Sequence, residues 1–136
     1  MRESEIEIEL DFEGNHRLSA VIDRVRGPLI VEEIMARLPL QGKTAYLAGE
    51  MKITLGIGMG NLKPTRQVKR GQMAYVPLGD SLSIYLRDMS TFSPVNVIGS
   101  VTSPAEALDK VQTLRRGGQV TIRLVKYGLK DAGRSS

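Results

Sequence analysis

Seven residues in this sequence have side chains of the types that could bind a ligand or move a proton. They lie at predicted strand ends and corners, and they are Tyr46, Glu50, Tyr75, Pro77, Asp80, Tyr85 and Asn96. If the strands roll into a small barrel, such positions can converge on one cleft with an apolar wall and a few polar groups. Glu50 is the only central carboxylate suited to be a general base. The set predicts a binding cleft; the alternative is that the tyrosines pack, Asp80 forms a turn and Asn96 ties backbone segments together.

No catalytic or metal-binding motif accompanies these residues. The chain has no cysteine, which excludes disulfides, thiol catalysis and thiolate metal sites. Its only histidine, His16, follows a predicted turn without a second histidine as partner, so a surface position is expected. The segment Gly56–Gly60 lacks the third glycine of a dinucleotide-binding loop, and Lys63-Pro64 prevents the helix that should follow it, so a flexible hairpin loop is predicted. We therefore expect no metal and no cofactor, and the sequence identifies no catalytic residue.

The charged residues form an acidic group on the first strand and a basic segment, and each group has both a functional and a structural interpretation. Four acids alternate along the first strand, where a flat face spreads the oxygens too widely for a hard cation, so we predict a solvated face paired with basic residues of the last strand. The net charge is +4, and residues 63–70 form a basic segment. An RNA-associated module would use this segment as a loop. Nucleic acid is nevertheless an improbable partner, because only Tyr75 lies near enough in sequence to supply stacking.

Length and composition indicate one soluble domain. The 136 residues are 41% hydrophobic and 25% charged, values typical of a globular protein. The N-terminus enters a charged strand with no apolar signal core, and no run is long enough to cross a bilayer, so a cytoplasmic location without membrane contact is expected. We predict a domain over residues 1–127, a disordered tail over 128–136, and a monomer or homodimer whose partner is an unknown small molecule or peptide.

The element that must position the candidate residues is a hairpin over Gly71–Leu86. Its apolar residues alternate, and Pro77 with Gly79-Asp80 supplies the turn. The residues predicted to face inward are Met73, Tyr75, Leu82, Ile84 and Leu86. We expect the hairpin to bring Tyr75, Pro77, Asp80 and Tyr85 around one corner.

The remaining elements frame that hairpin. The first strand, residues 5–12, should pair with the last strand, residues 119–127. One helix is predicted over Pro28–Leu38, and a second begins after Ser103, which can cap it together with Glu106. Seven or eight strands with only two helices exclude a doubly wound sheet. They favour a mainly β fold, a barrel or sandwich whose ends are covered by the helices.

Four segments of the sequence resemble the cyclophilin-like family of small prokaryotic proteins. They are the alternating first strand, the Gly49-Glu50 corner, the run from Arg70 through Leu86, and Val95-Asn96-Val97-Ile98-Gly99. The resemblance implies a small closed antiparallel β-barrel with two covering helices, and it implies no established activity.

The same resemblance bears on prolyl isomerisation. True cyclophilins use an arginine with apolar and aromatic pocket residues, and usually a histidine and a tryptophan. This chain has no tryptophan, so the activity is not carried over. A weak peptidyl-prolyl isomerase with Arg87 or Arg66 in the arginine's role remains the enzymatic alternative to a ligand- or peptide-binding domain.

Overall fold

The computed structural model describes residues 1–60 and 63–128. Within them it has nine β-strands, two α-helices and one 3-10 helix. The strands are β1 (Glu5–Phe12), β2 (His16–Asp23), β3 (Leu40–Leu47), β4 (Glu50–Thr54), β5 (Thr65–Val68), β6 (Gln72–Val76), β7 (Ser81–Tyr85), β8 (Met89–Val101) and β9 (Gln119–Tyr127). The helices are α1 (Pro28–Ala36) and α2 (Ala105–Lys110), and the 3-10 helix, Val111–Thr113, continues α2.

Eight of these strands close into an antiparallel barrel, as the sequence predicts. Their order is β2-β1-β9-β3-β4-β7-β6-β8, and a further pairing of β8 with β2 closes the ring. At that closure Gly99 lies opposite Ile22, and a Cβ on Gly99 would overlap the Val21 carbonyl oxygen. The glycine of the Val-Asn-Val-Ile-Gly motif therefore lets the two strands approach closely enough to pair.

The two ends of the chain lie side by side, which confirms the predicted pairing of β1 with β9. Three of the four acids of β1 have basic partners on β9, and Glu5 pairs with Arg2. Arg123 contacts Asp11 at 2.9 Å and Glu9 at 3.7 Å, and Lys126 contacts Glu7 at 3.9 Å. The hydrogen bond from Arg123, helped by the Gly14 N–H, holds the pKa of Asp11 below its ordinary value.

Aliphatic side chains fill the barrel interior. Ile6, Ile8 and Leu10 from β1 are fully buried there beside Ile122 of β9. The alternation that buries Val120 and Ile122 of β9 stops after Ile122, because Leu124 is 38% exposed. Because the interior is packed with side chains, the barrel is a solid core rather than a ligand cavity.

The outer face of the central hairpin is also buried, which the sequence did not predict. Strand β5 pairs with the first half of β8 and lies over this face. Together they bury a second core of Val68, Ala74, Val76, Tyr85 and Val95. Thr65–Val68 is thus a strand, and the basic segment 63–70 is not one continuous loop.

The helices cover the barrel with small departures from expectation. Helix α1 buries Ile30, Val31 and Ile34 and ends at Ala36, two residues earlier than predicted. The predicted cap of α2 by Ser103 is wrong, because Pro104 occupies the N-cap and the Ser103 hydroxyl accepts the Ser19 N–H instead. His16 lies half-buried and donates from Nε2 to the Ala107 carbonyl at 2.7 Å, tying β2 to α2.

Directly after the last strand, the Gly128 N–H donates to the Glu5 carbonyl. The rest of the predicted tail, residues 129–136, lies outside the described residues. None of the helices found in residues 1–60 and 63–128 has the length and apolar character needed to cross a bilayer.

Candidate functional site

The structure distributes the seven predicted site residues over three places. Tyr75, Pro77, Asp80 and Asn96 hold loops against the barrel. Glu50 and Tyr85 lie on the outer face of β4 and β7, and Tyr46 lies near the end of β3, before the β3–β4 turn. The predicted single corner is therefore wrong, because Tyr75 points into the barrel core and Tyr85 into the second core.

Tyr75 and Asp80 form a buried anchor for the glycine-rich loop. The Tyr75 hydroxyl donates to Asp80 Oδ1 at 2.6 Å and accepts the Met59 N–H at 3.0 Å. Asp80 also accepts the N–H groups of Ile57 and Gly58, each at 3.0 Å. The segment predicted as a flexible hairpin loop is thus held by three hydrogen bonds from its backbone N–H groups.

The contacts of this anchor determine the ionisation of Tyr75 and Asp80. Burial, helped by the hydrogen bond to Asp80, raises the pKa of Tyr75 to about 12. Burial also acts to raise the pKa of Asp80, but hydrogen bonds from Tyr75, Gly58 and Ile57 outweigh it and leave that pKa below its ordinary value. A neutral tyrosine and an ionised aspartate suit a structural anchor, and Tyr75 has no exposed surface to offer a ligand.

Pro77 and Asn96 also have structural partners. The Pro77 carbonyl accepts the Asp80 N–H at 3.1 Å, which closes the β6–β7 turn. Asn96 is 1% exposed, and its side-chain oxygen accepts the Lys63 N–H at 3.1 Å. These contacts match the structural alternative, in which Asp80 forms a turn and Asn96 ties backbone segments together.

Glu50 and Tyr85 lie opposite each other on β4 and β7, and their side chains form the floor of a small pocket. This outer-face pocket has a volume of about 150 Å³. Its lining is Leu47, Glu50, Lys52, Val76, Leu78, Tyr85, Thr91, Phe92, Ser93 and Val95. Because β4 and β7 are antiparallel, Lys52 and Ser83 form the next pair on the same face.

Three polar atoms on this face are buried without a well-formed hydrogen bond among the described residues, although the Ser83 and Tyr85 hydroxyls lie close enough to influence each other. They are Glu50 Oε2, Ser83 Oγ and Tyr85 Oη. Ser83 and Tyr85 have no exposed surface, and Glu50 is 9% exposed. Native structures leave few buried polar groups unsatisfied, and each one costs about 1–3 kcal/mol. Three of them on adjoining strands mark this face as different from the rest of the barrel.

The electrostatics of the floor keep Tyr85 protonated. Burial and the negative charge of Glu50 raise the pKa of Tyr85, and the nearby Ser83 hydroxyl offsets only part of that rise. Tyr85 is therefore a neutral donor next to a carboxylate. Such a pair can recognise a group that both donates and accepts hydrogen bonds.

The rim of the outer-face pocket is apolar and exposed. Phe92 is 90% exposed, Leu78 is 59% exposed and Leu47 is 55% exposed. An exposed apolar rim around a polar floor is typical of binding sites rather than of ordinary surface.

Tyr46 belongs to a second concavity, which we call the arginine cleft. Its volume is about 460 Å³. It is lined by Tyr46, Leu47, Gly49, Leu86, Arg87, Gln112, Leu114 and Arg116. Leu47 lines both concavities, so they lie on either side of the β3–β4 turn.

The residues named for the two alternative functions are also located. Arg87 lines the arginine cleft, whereas Arg66 is exposed on β5. Arg70 of the basic segment is engaged, since it donates to the Leu86 carbonyl and pairs with Asp109 at 2.8 Å. The fully buried Tyr75 cannot stack on a base.

No group of three or more histidines, aspartates and glutamates is arranged to hold a metal in the part of the chain that the structure describes.

Several lining residues were missed by sequence reasoning. Lys52 lines the outer-face pocket and Ser83 lies beneath it; both carried a signal, because the alternation that puts Ile53 and Leu82 inside puts their neighbours outside. Phe92 could have been noticed as one of only two phenylalanines in the chain. Gln112 carried no signal.

Comparisons with known proteins agree with the barrel. A family model described as Cyclophilin-like matches residues 6–123. The solution structure of the hypothetical protein AF2241 from Archaeoglobus fulgidus superimposes with a TM-score of 0.75 at 18% identity, covering 91% of this chain and 98% of that one. The structure of McbB in complex with tryptophan superimposes with a TM-score of 0.71 at 14% identity, covering 91% of this chain and 46% of McbB.

At these identities the two structures establish a shared fold only. Among curated proteins, none matches the sequence. The family match covers most of the chain, including the closing Gly99 and the outer-face pocket. The protein therefore belongs to the cyclophilin-like family.

Proposed function

We propose that this protein is a binding domain whose outer-face pocket takes a small ligand, or one residue of an extended peptide, without catalysis. The observation that carries the proposal is the pair of buried polar atoms, Glu50 Oε2 and Tyr85 Oη, that line the pocket without a well-formed hydrogen bond, with Ser83 Oγ buried beside them. A ligand that hydrogen-bonds to them would remove a desolvation cost that the free protein bears. The exposed rim of Leu47, Leu78 and Phe92 would cover the apolar part of the same ligand.

The pocket restricts the chemistry of its occupant. A volume of about 150 Å³ is below the range of about 300–1,000 Å³ typical of drug-sized ligands, so the occupant is a fragment or a single side chain. Glu50 requires a donor, and the two hydroxyls can each donate or accept. The best match is an apolar or aromatic group that carries an N–H or O–H.

A fragment and peptide screen followed by amide NMR of the full chain tests this proposal. Tryptophan belongs in the screen, because McbB was solved in complex with it. Hits should shift amides around Glu50, Tyr85 and Phe92. Glu50→Gln should weaken a hit about ten-fold, because a hydrogen bond to a charged group contributes about 1.5–3 kcal/mol.

Glu106→Gln is the matched control, since Glu106 is exposed on α2 and should leave affinity unchanged. Shifts scattered away from the pocket, or a Glu50→Gln variant that binds as tightly as the wild type, would contradict the proposal. So would a screen without hits.

The isomerase alternative has its own measurement. The pocket lining contains no arginine, and Arg87 lies across the β3–β4 turn, so we expect proline isomerisation at the uncatalysed rate. A rate above that background that falls in Arg87→Gln would establish the enzyme instead.

A further inference from the structure

Arg87 and Arg116 differ from most arginines of this protein. Seven others pair with a carboxylate within the described residues; they are Arg2, Arg17, Arg24, Arg37, Arg70, Arg115 and Arg123. No such ion pair is found for Arg87 or Arg116 in that part of the chain. Both are exposed, and both line the arginine cleft. Two like charges at one concavity repel each other unless an anion joins them.

The wall that carries Arg87 is built around a glycine. Gly49 has φ +80°, and a Cβ there would overlap Arg87 Nε and approach Met89 Sδ to 3.0 Å. The Gly49 carbonyl accepts the Leu86 N–H at 2.8 Å, which fixes the strand end just before Arg87. The glycine thus allows the arginine side chain to lie against the turn.

The opposite wall is held by Tyr46. Its hydroxyl donates to the Val111 carbonyl at 2.8 Å, so the ring is fixed between β3 and the 3-10 helix. The guanidinium of Arg116 lies over that ring, with its carbon 6.0 Å from the ring centroid. Tyr46, Leu86 and Leu114 supply an apolar surface between the two cations. Stacking on a ring orients a guanidinium while leaving its N–H donors free.

We propose that the arginine cleft is a binding site for a small organic oxyanion, a carboxylate or a phosphate ester with an apolar body. Arg87 and Arg116 hold the oxyanion, because a guanidinium offers paired N–H donors that match either group. Tyr46 and Leu114 contact the apolar body. The volume of about 460 Å³ falls within the range typical of small-molecule sites. This site is separate from the outer-face pocket and does not depend on the function proposed for that pocket.

Calorimetric titration of the full chain at low ionic strength tests the proposal with three probes of similar shape. They are 3-phenylpropanoate, phenyl phosphate and the neutral 3-phenylpropanamide. At least one anion should bind at least ten-fold more tightly than the amide, and added salt should weaken it. The preferred anion identifies the oxyanion class. Arg87→Gln and Arg116→Gln should each weaken that anion about ten-fold.

Two variants provide the controls. Arg66→Gln removes an exposed arginine on β5, away from the cleft, and should leave anion binding unchanged. Arg26→Gln removes another exposed arginine that does not line the cleft and should leave anion binding unchanged too. Amide binding equal to anion binding, an equal loss in Arg66→Gln, or no anion binding at millimolar concentration would overturn the proposal. Binding of an RNA oligonucleotide without binding of either small anion would overturn it as well.

Discussion

Tyr75 and Tyr85 show how the same side chain serves two purposes in one hairpin. Both are fully buried. The Tyr75 hydroxyl has Asp80 and the Met59 N–H as partners, whereas the Tyr85 hydroxyl has only the Ser83 hydroxyl near it and makes no well-formed hydrogen bond among the described residues. A satisfied buried hydroxyl stabilises a fold, and an unsatisfied one destabilises it. This difference assigns Tyr75 a structural role. A ligand that hydrogen-bonds to Tyr85 would explain why the fold keeps a buried hydroxyl there despite its desolvation cost.

Replacing each tyrosine by phenylalanine tests that distinction. Tyr75→Phe should lower the free energy of unfolding by about 1–3 kcal/mol, because Asp80 and the Met59 N–H lose a partner. Tyr85→Phe should leave the free energy of unfolding unchanged or raise it by up to about 1 kcal/mol. Urea unfolding at neutral pH measures both. Equal losses in the two variants would mean that Tyr85 is as well satisfied as Tyr75.

Strand β8 is the element that joins the barrel to the second core. Its first half pairs with β5, and its second half pairs with β6 and β2. The register with β6 shifts between Met73 and Ala74. Val95 packs in the second core while Ile98 packs in the barrel core. Because these two residues are three positions apart, the alternation of the strand places them on opposite faces, and one strand serves both cores.

Gly99→Ala should disrupt the closure of β8 on β2. The added Cβ would overlap the Val21 carbonyl oxygen and lie 2.9 Å from Ile22 Cα, and neither backbone atom can move without opening the ladder. We expect a loss of about 1–3 kcal/mol or more in the free energy of unfolding, measured by urea unfolding.

Amide exchange should show where the Gly99→Ala barrel opens, with faster exchange along β2 and β8. Gly60→Ala is the control, since a Cβ there has nothing within 4 Å and should cost little. An unaltered β2–β8 ladder in Gly99→Ala would show that the closure does not need glycine.

At the scale of the whole molecule, periodicity predicted the barrel but not the site. The alternation in β1 correctly assigned Ile6 and Ile8 to the interior. The same period of two assigns Tyr85 to the face opposite Leu82, yet proximity in sequence suggested a shared corner with Tyr75. The sequence could not predict that β5 covers the outer face, because Val68 is the only apolar residue of that strand. Sites made where distant strands adjoin leave no local pattern to read.

The pH dependence of stability should show a plateau with two independent limbs. Asp11 and Asp80 have lowered pKa values when folded, because Arg123 holds the first and Tyr75 with two N–H groups holds the second. Their stabilisation is complete above the unfolded value of about 3.9 and is lost as pH falls through the folded pKa. Burial raises the pKa values of Tyr75 and Tyr85, so their contribution is complete below about pH 10 and is lost as pH rises.

Two variants should each change one limb of that profile, followed as the urea midpoint from acid to alkaline pH. Asp80→Asn keeps the shape of the side chain, and asparagine tolerates the positive φ of 51° at this position. It should cost about 1–3 kcal/mol at neutral pH, with the difference from wild type shrinking in acid as the wild-type carboxylate becomes protonated. Tyr85→Phe should leave the acid limb intact and reduce the loss on the alkaline side. If Asp80→Asn kept a constant difference from wild type down to the lowest pH, the charge of Asp80 would not be what holds the glycine-rich loop to the barrel.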